Sequence, residues 1–526
     1  MTDPDHPERP DQPFAAYASS DVLATDDRDD DGPHRARWAV AALAGALVLA
    51  LVGGVSWAVG SLSGGGAQPE DALPAGAVAF AKVDLDPSAG QKIDGFRFLR
   101  KFPGLRDRVP PDGDVREVLF DAVADAAGWQ DIDFDADVDP WLGDRLGVAG
   151  YPARDDGQYT SPAVVALQVT DADQAEAGLR RLVAASADGV GGTESIGFVV
   201  EGDYALLAES QALAESYARQ AAEKTLADDE RYAADLAEIG DGVAAVWVDN
   251  SAAGAAGNAL DPSGMGLRGV AGLGSSAGRT TMVARFDGPD VFEVVGSVTG
   301  VGPAGWSTHP VSGLGDLPES TVLAFGLADG EELVPRLVKA AKSASARDDE
   351  GETGFDELLG HAEDETGIEL PEDLAVLLGD NLVAALDGEL DEDGALQAAT
   401  RVRTADVARA DQLIQQLFDD GPDLVLRTGG DNYALGSSER HTDAVLAGEG
   451  SLGEQQDFRK ALPDLADADV ALWADPVGLV QTLFGSWSGD QGRETDPDLE
   501  PLAGVGMTAS SREDGEGSFR FRIVAR

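Results

Sequence analysis

"LPAGAVAFAKVDLD", residues 73–86, returns as "LPESTVLAFGLADG" at residues 317–330, a full domain length further on. Three more pairs follow in the same order. "WLGDRLGVAGYP" from Trp141 matches "LLGDNLVAALDG" from Leu377, "GDYALLAES" from Gly202 matches "DNYALGSSE" from Asp431, and "VAAVWVD" from Val243 matches "DVALWAD" from Asp469. The offset drifts from 244 down to 226. Ordered matches with a slow drift are the mark of a tandem duplication with small length changes. The boundary falls in "GVGPAGWSTHPVSGLGD", residues 300–316, which gives lobes at 73–300 and 317–526 and a linker at 301–316.

Within each copy, apolar alternation of period two gives way to helical patterning of period 3.6. "AVAFAKV" reads as a strand, with Asp86 and Pro87 after it as a helix cap and first helical residue. "DRLGVAGYP" and "SPAVVALQV" read as paired strands around "ARDDGQYT", answered by "NLVAALDG" and "ALQAATRVR" around "ELDEDG". "DADQAEAGLRRLVAAS" and "ADVARADQLIQQLF" are amphipathic helices, "FVVEGDYALLA" is a further strand, and each copy closes on a hairpin. Hairpins mixed with helices predict an α+β fold, two tandem-duplicated lobes with largely antiparallel sheets and packed helices.

Charge narrows the function. Asp and Glu number 96 against 38 Lys and Arg, a net charge of −58 over 526 residues. Such a field repels nucleic acid and anionic headgroups, so neither is an expected partner. Only 7 of the basic residues are Lys, as GC-rich coding or adaptation to high salt both produce. There is no cysteine, so disulfides, thiolate metal sites and a cysteine nucleophile are excluded.

"WAVAALAGALVLALVGGVSWAV", residues 38–59, carries no charge over 22 residues, and about 20 suffice to cross a bilayer. Trp38 and Trp57 stand near its ends; His34, Arg35 and Arg37 precede it, and no basic residue follows closely. These features predict a transmembrane helix with a cytoplasmic N-terminus and the rest outside, at the cell membrane. The preceding tail, with ten acidic residues in its first 33, lacks the apolar content to fold, so residues 1–37 are expected to be disordered and basic only at the membrane end. Residues 60–72, Gly- and Ser-rich at first, are the expected linker.

"LPAGAVAFAKVDLDPSAGQK", "PWLGDR", the acidic tail and the single membrane helix together resemble an uncharacterised bacterial family, common in actinobacteria, of single-pass membrane proteins with a large outer domain. The resemblance covers the chain after Gly60. It implies membrane location and supplies no catalytic residues.

Several motifs tempt. "GSSAG", residues 274–278, places Ser276 in a nucleophile-elbow pattern, but it sits in a glycine-rich loop before a strand, where the elbow needs a strand-to-helix turn. "GVGPAG", residues 300–305, is followed by "WSTHPVSGLGDLP", which cannot form the phosphate-binding helix. Of five histidines, His309, His361 and His441 lie beyond the anchor, and no Asp partner for them is visible in the sequence. "QKIDGFRFLRKFPGLRDR", residues 91–108, spaces Phe96, Leu99 and Phe102 on one helical face, which suits a core-facing helix better than a lipid contact. In "DIDFDADVDPWLGD", Asp133, Asp135 and Asp137 are the candidate calcium ligands. Against them, Val138 stands where a calcium loop needs glycine, and Pro140 follows.

The expected function is a binding or structural module of the cell envelope. The alternative is an envelope hydrolase with a site between the lobes. No catalytic residue and no cofactor is assigned; the expected partners are the bilayer through 38–59 and an envelope protein or lipid. An apolar pocket large enough for an acyl chain favours lipid handling, and a filled interior favours protein contacts. Catalysis predicts polar residues that diverge between the copies where apolar ones match.

Overall fold

The computed structural model describes residues 66–104, 132–155, 158–160, 162–188, 196–253, 278–300, 309–345, 366–392, 394–418, 424–485, 497–511 and 516–526, with scattered residues at 116–124, 307 and 359–363. The acidic tail, the apolar run 38–59, Ser276 and most of the glycine motif at 300–305 lie outside them. Among the described residues no helix is long and apolar enough to cross a membrane.

The fold is α+β, as the patterning predicts. The main strands of the first half are β1 (Ala79–Asp84), β2 (Leu142–Gly150), β3 (Ala163–Val169), β4 (Gly197–Glu201), β5 (Tyr204–Ala208), β6 (Ala244–Asp249), β7 (Arg279–Phe286) and β8 (Val291–Thr299). Those of the second are β9 (Thr321–Ala328), β10 (Asn381–Asp387), β11 (Ala398–Arg403), β12 (Val425–Gly429), β13 (Asn432–Gly436), β14 (Val470–Ala474), β15 (Leu502–Ser511) and β16 (Gly517–Ala525). They make one antiparallel sheet in which β4-β5-β3-β2-β1-β6-β7-β8 meets β16-β15-β14-β9-β10-β11-β13-β12. Adding eight to each strand of the first half reproduces the neighbours of the second.

Separate sheets were expected, and the structure instead joins the halves edge to edge. β8 pairs with β16 from Val291 opposite Val524 to Val298 opposite Gly517. Each closing hairpin leaves a row of unpaired backbone groups at its outer strand, and pairing the two rows satisfies both.

Helices cover the two faces. In the first half α1 (Ala89–Leu99) and α2 (Ala172–Asp188) lie on one face, and α3 (Gln211–Glu223) and α4 (Glu230–Ile239) on the other. The second half has α5 (Gly330–Ser345), α6 (Glu372–Leu378), α7 (Val407–Phe418), α8 (Glu439–Ala447), α9 (Gln456–Ala461) and α10 (Pro476–Gly485). Trp247 and Trp473, each under 3% exposed, fill equivalent places, because each pairs with the strand before it at Phe80 or Ala324.

Local readings needed adjustment. "FVVEGDYALLA" is two strands, β4 and β5, because Gly202 takes φ +58° and opens a two-residue turn with Asp203. Gly430, at φ +60°, makes the same turn between β12 and β13, which places Gly202 on Gly430 and moves the sequence match there by one residue. The cap of α1 is Ser88, whose hydroxyl accepts from Gln91 N, rather than Asp86. The expected linker ends folded: Ala67 O accepts from the Tyr204 hydroxyl at 2.9 Å, Glu70 pairs with Lys82 at 2.6 Å, and Pro69 and Glu70 are buried. The inter-repeat linker likewise packs from His309 onward, with Val311 and Leu314 buried beneath the second half and Ser312 exchanging hydrogen bonds with the Asn381 amide.

Candidate functional site

The face of the sheet that carries α1 and α2 in the first half is closed there. Val148, Val165 and Leu207 are buried, and Phe98 packs on Phe286 and Phe292 with ring centroids 5.7 and 6.4 Å away. The corresponding strand positions of the second half are Ala384, Thr400 and Leu435, and all three are only half-buried. With Leu323, Phe325 and Leu386 they line a pocket of about 450 Å³.

Asp171 and Asp406 cap α2 and α7 at equivalent points, accepting from Gln174 N and Arg409 N at 2.9 Å. α7 covers Val402, Leu382 and Tyr433 at one end of the strands, where Ala410 and Ile414 pack down. The pocket lies toward the other end, over Leu386 and Ala398.

The pocket offers little polar chemistry. None of the described residues lining it is charged, and its hydroxyls belong to Thr400 and Ser437. Both are committed to backbone: Thr400 donates to Leu435 O at 3.4 Å, and Ser437 donates to Leu396 O while accepting from Ala398 N, each at 3.0 Å.

Directly across the sheet from Leu386 and Ser437 lies a buried polar cluster that the sequence reading missed. His441 Nδ1 stands 3.2 Å from Asp387 Oδ2, with both side chains at most 4% exposed. Gln397 Oε1 accepts from the Ser438 hydroxyl at 2.8 Å, and the His441 Nε2 atom has no protein partner. Burial opposes ionisation of Asp387, but hydrogen bonds from His441, Glu389 N and Ser320 outweigh it and hold the carboxyl below the usual range. The available signal was a difference between matched positions: there the first half has Tyr151 and Leu213, by the strand pairing of β1 with β2 and the Ser210 and Ser438 caps.

A second polar group sits near the other end of β9. Asp329, at φ +47°, is buried, and its carboxylate lies 3.5 Å from His309 Nδ1. Burial and the nearby Asp329 charge push the Asp469 carboxyl above the usual range, although Ser511 donates to it through both N and hydroxyl. Thus His309 and His441 each stand beside an Asp, and His361 is exposed.

The other expected places resolve into structure. Asp133 caps the turn Phe134–Asp137, accepting from Ala136 N at 2.9 Å; Asp137 pairs with Arg181 at 2.6 Å, and Asp135 is exposed. Among the described residues no group of three or more His, Asp or Glu could hold a metal ion. In the described part of the basic stretch, 91–104, Phe98, Leu99 and Phe102 are buried, the expected Phe96 is only half-buried with Arg100 over its ring, and Lys92 pairs with Asp86. At the join, where the hydrolase alternative puts its site, Glu293 is 1% exposed and accepts from Arg285, Arg520 and Arg522. Burial raises its pKa and these guanidiniums more than reverse that, so the carboxyl stays below the usual range.

No curated protein and no solved structure matches the chain. A family profile described as "Protein of unknown function (DUF3352)" matches residues 41–420, from within the apolar run, through the whole first half, to just past α7. With that match over more than half its length, the chain belongs to this family of unknown function.

Proposed function

We propose that this protein is a membrane-anchored binding module of the cell envelope whose second half takes up an apolar ligand. The observation that carries the reading is the 450 Å³ pocket, within the size range of small-molecule sites, with no charged residue and no uncommitted hydroxyl among the described residues that line it. Ligands that need hydrogen bonds would lose their hydration there without replacement. The uncharged run at 38–59, with basic residues only before it, supports the anchor and a cytoplasmic N-terminus. The four sequence matches and the repeated strand order support a tandem duplication, in which the first half keeps a filled core and the second an open one.

A hydrolase acting between the halves has less behind it, since Glu293 is saturated by arginines. The diverged pair Asp329 and Asp469 favours it most, but Asp329 lies four residues along from Phe325, about 13 Å from the pocket.

The test is titration of the full chain with a neutral polarity-sensitive dye. Saturable binding that Ala384→Trp abolishes, without a change in the unfolding midpoint, supports the reading; undiminished binding in that variant overturns it. Protease added to intact cells tests the topology. Loss of the outer domain is expected, and protection of it with cleavage of the N-terminal tail refutes the orientation.

A further inference from the structure

Resting on that reading, we propose that the pocket's occupant is a single unbranched acyl chain of a membrane lipid. Size comes first. At ~30 Å³ per water-sized group, 450 Å³ holds about fifteen such groups, the bulk of one long acyl chain and too little for two. The floor is laid across β9, β10, β11 and β13, four neighbouring strands. At ~4.8 Å between strands this is a trough about 14 Å across, shaped for an elongated guest.

Chemistry points the same way. With Thr400 and Ser437 bonded to backbone, the described floor residues present methyl, methylene and ring surface, which matches a hydrocarbon chain along its length. Among them a headgroup meets no charged partner, so it stays in water. A second copy of the chain is disfavoured, because each carries −58 and association brings like fields together. A bilayer lipid is the source to commit to, since the run at 38–59 keeps the protein where acyl chains are concentrated.

The experiment uses full-length protein in the membranes of cells fed a photoreactive diazirine fatty acid, which is incorporated into lipid. Crosslinked peptides are mapped after irradiation, and saturated competitors of eight to sixteen carbons are added to isolated membranes. Crosslinks are expected within 323–325, 384–386 and 398–400, with competitor potency rising about fourfold per methylene until the pocket is full. Ala384→Trp should remove these crosslinks. If that variant fails to fold, Leu386→Ala takes its place, lengthening the best competitor by two or three carbons. Crosslinks confined to 38–59, or competition indifferent to chain length, overturn the proposal. Dye binding that Ala384→Trp still blocks would then leave the apolar-ligand reading standing.

Discussion

Replacing Glu293 by Gln tests what holds the two halves together. The carboxylate is 1% exposed and ligated by Arg285 at 2.7 Å, Arg520 at 2.6 Å and Arg522 at 2.7–2.8 Å. Removing one partner of a buried ion pair costs about 3–5 kcal/mol, because the remaining charge stays desolvated. Here the arginines keep other acceptors: Ile239 O for Arg285, Asp464 for Arg520, and Asp287 with Lys460 O for Arg522. Glutamine also retains one accepting oxygen. The lower end of the range therefore applies, and Glu293→Gln should lose about 3 kcal/mol at pH 7 in equilibrium denaturation. The pH dependence has a defined sign. A carboxyl held low in the native state contributes fully above its ordinary value near 4.3, and that contribution is lost as pH falls through the native value. The gap between wild type and variant should thus close in acid. A loss under ~1 kcal/mol at pH 7, or a gap that widens as pH falls, would refute the account of the join.

His441→Leu, which copies Leu213 of the first half, leaves Asp387 buried with only Ser320 and Glu389 N, and should cost about 2 kcal/mol in the same assay. Asp387→Asn in the His441→Leu background should recover part of that loss, and additive losses would argue against the pairing. Asp469 is raised in the native state, so its contribution is present in acid and declines as pH rises through the native value. Asp469→Asn should flatten that decline, seen as a smaller drop in unfolding midpoint between pH 4 and 7. With a net charge of −58, self-repulsion should yield to screening. The midpoint is expected to rise as sodium chloride goes from ~0.01 M to ~1 M, where the Debye length shrinks from about 30 to 3 Å.

Much of the fold could be read without coordinates. The hairpins around "ARDDGQYT" and "ELDEDG", the helices after Asp171 and Asp406, and the closing hairpins all form where the patterning puts them, because turn chemistry and apolar period are local properties. Where local reading slipped, a local detail was overlooked: Gly202 with Asp203 is a turn signal inside what looked like one strand. The acidic run at Asp133–Asp137 shows how little a one-dimensional pattern carries. Alternating carboxylates look like ligands in one dimension, while the chain folds them into a helical turn whose Asp133 and Asp137 are taken up by Ala136 N and Arg181.

The candidate site was almost illegible. Asp387 and His441 meet across 54 residues through the docking of α8 on β11 and β13, and no spacing rule encodes that contact. The pocket is subtler still, for it is space left uncovered. The sequence by itself determined the α+β element types and the internal matches, since both depend on neighbours a few residues apart. Only the tertiary structure decided that the halves share one sheet, and that β9, β10, β11 and β13 bring half-buried apolar side chains together over one pocket. Edge pairing and helix coverage depend on where distant segments end relative to each other in space, and periodicity within a segment carries no such information.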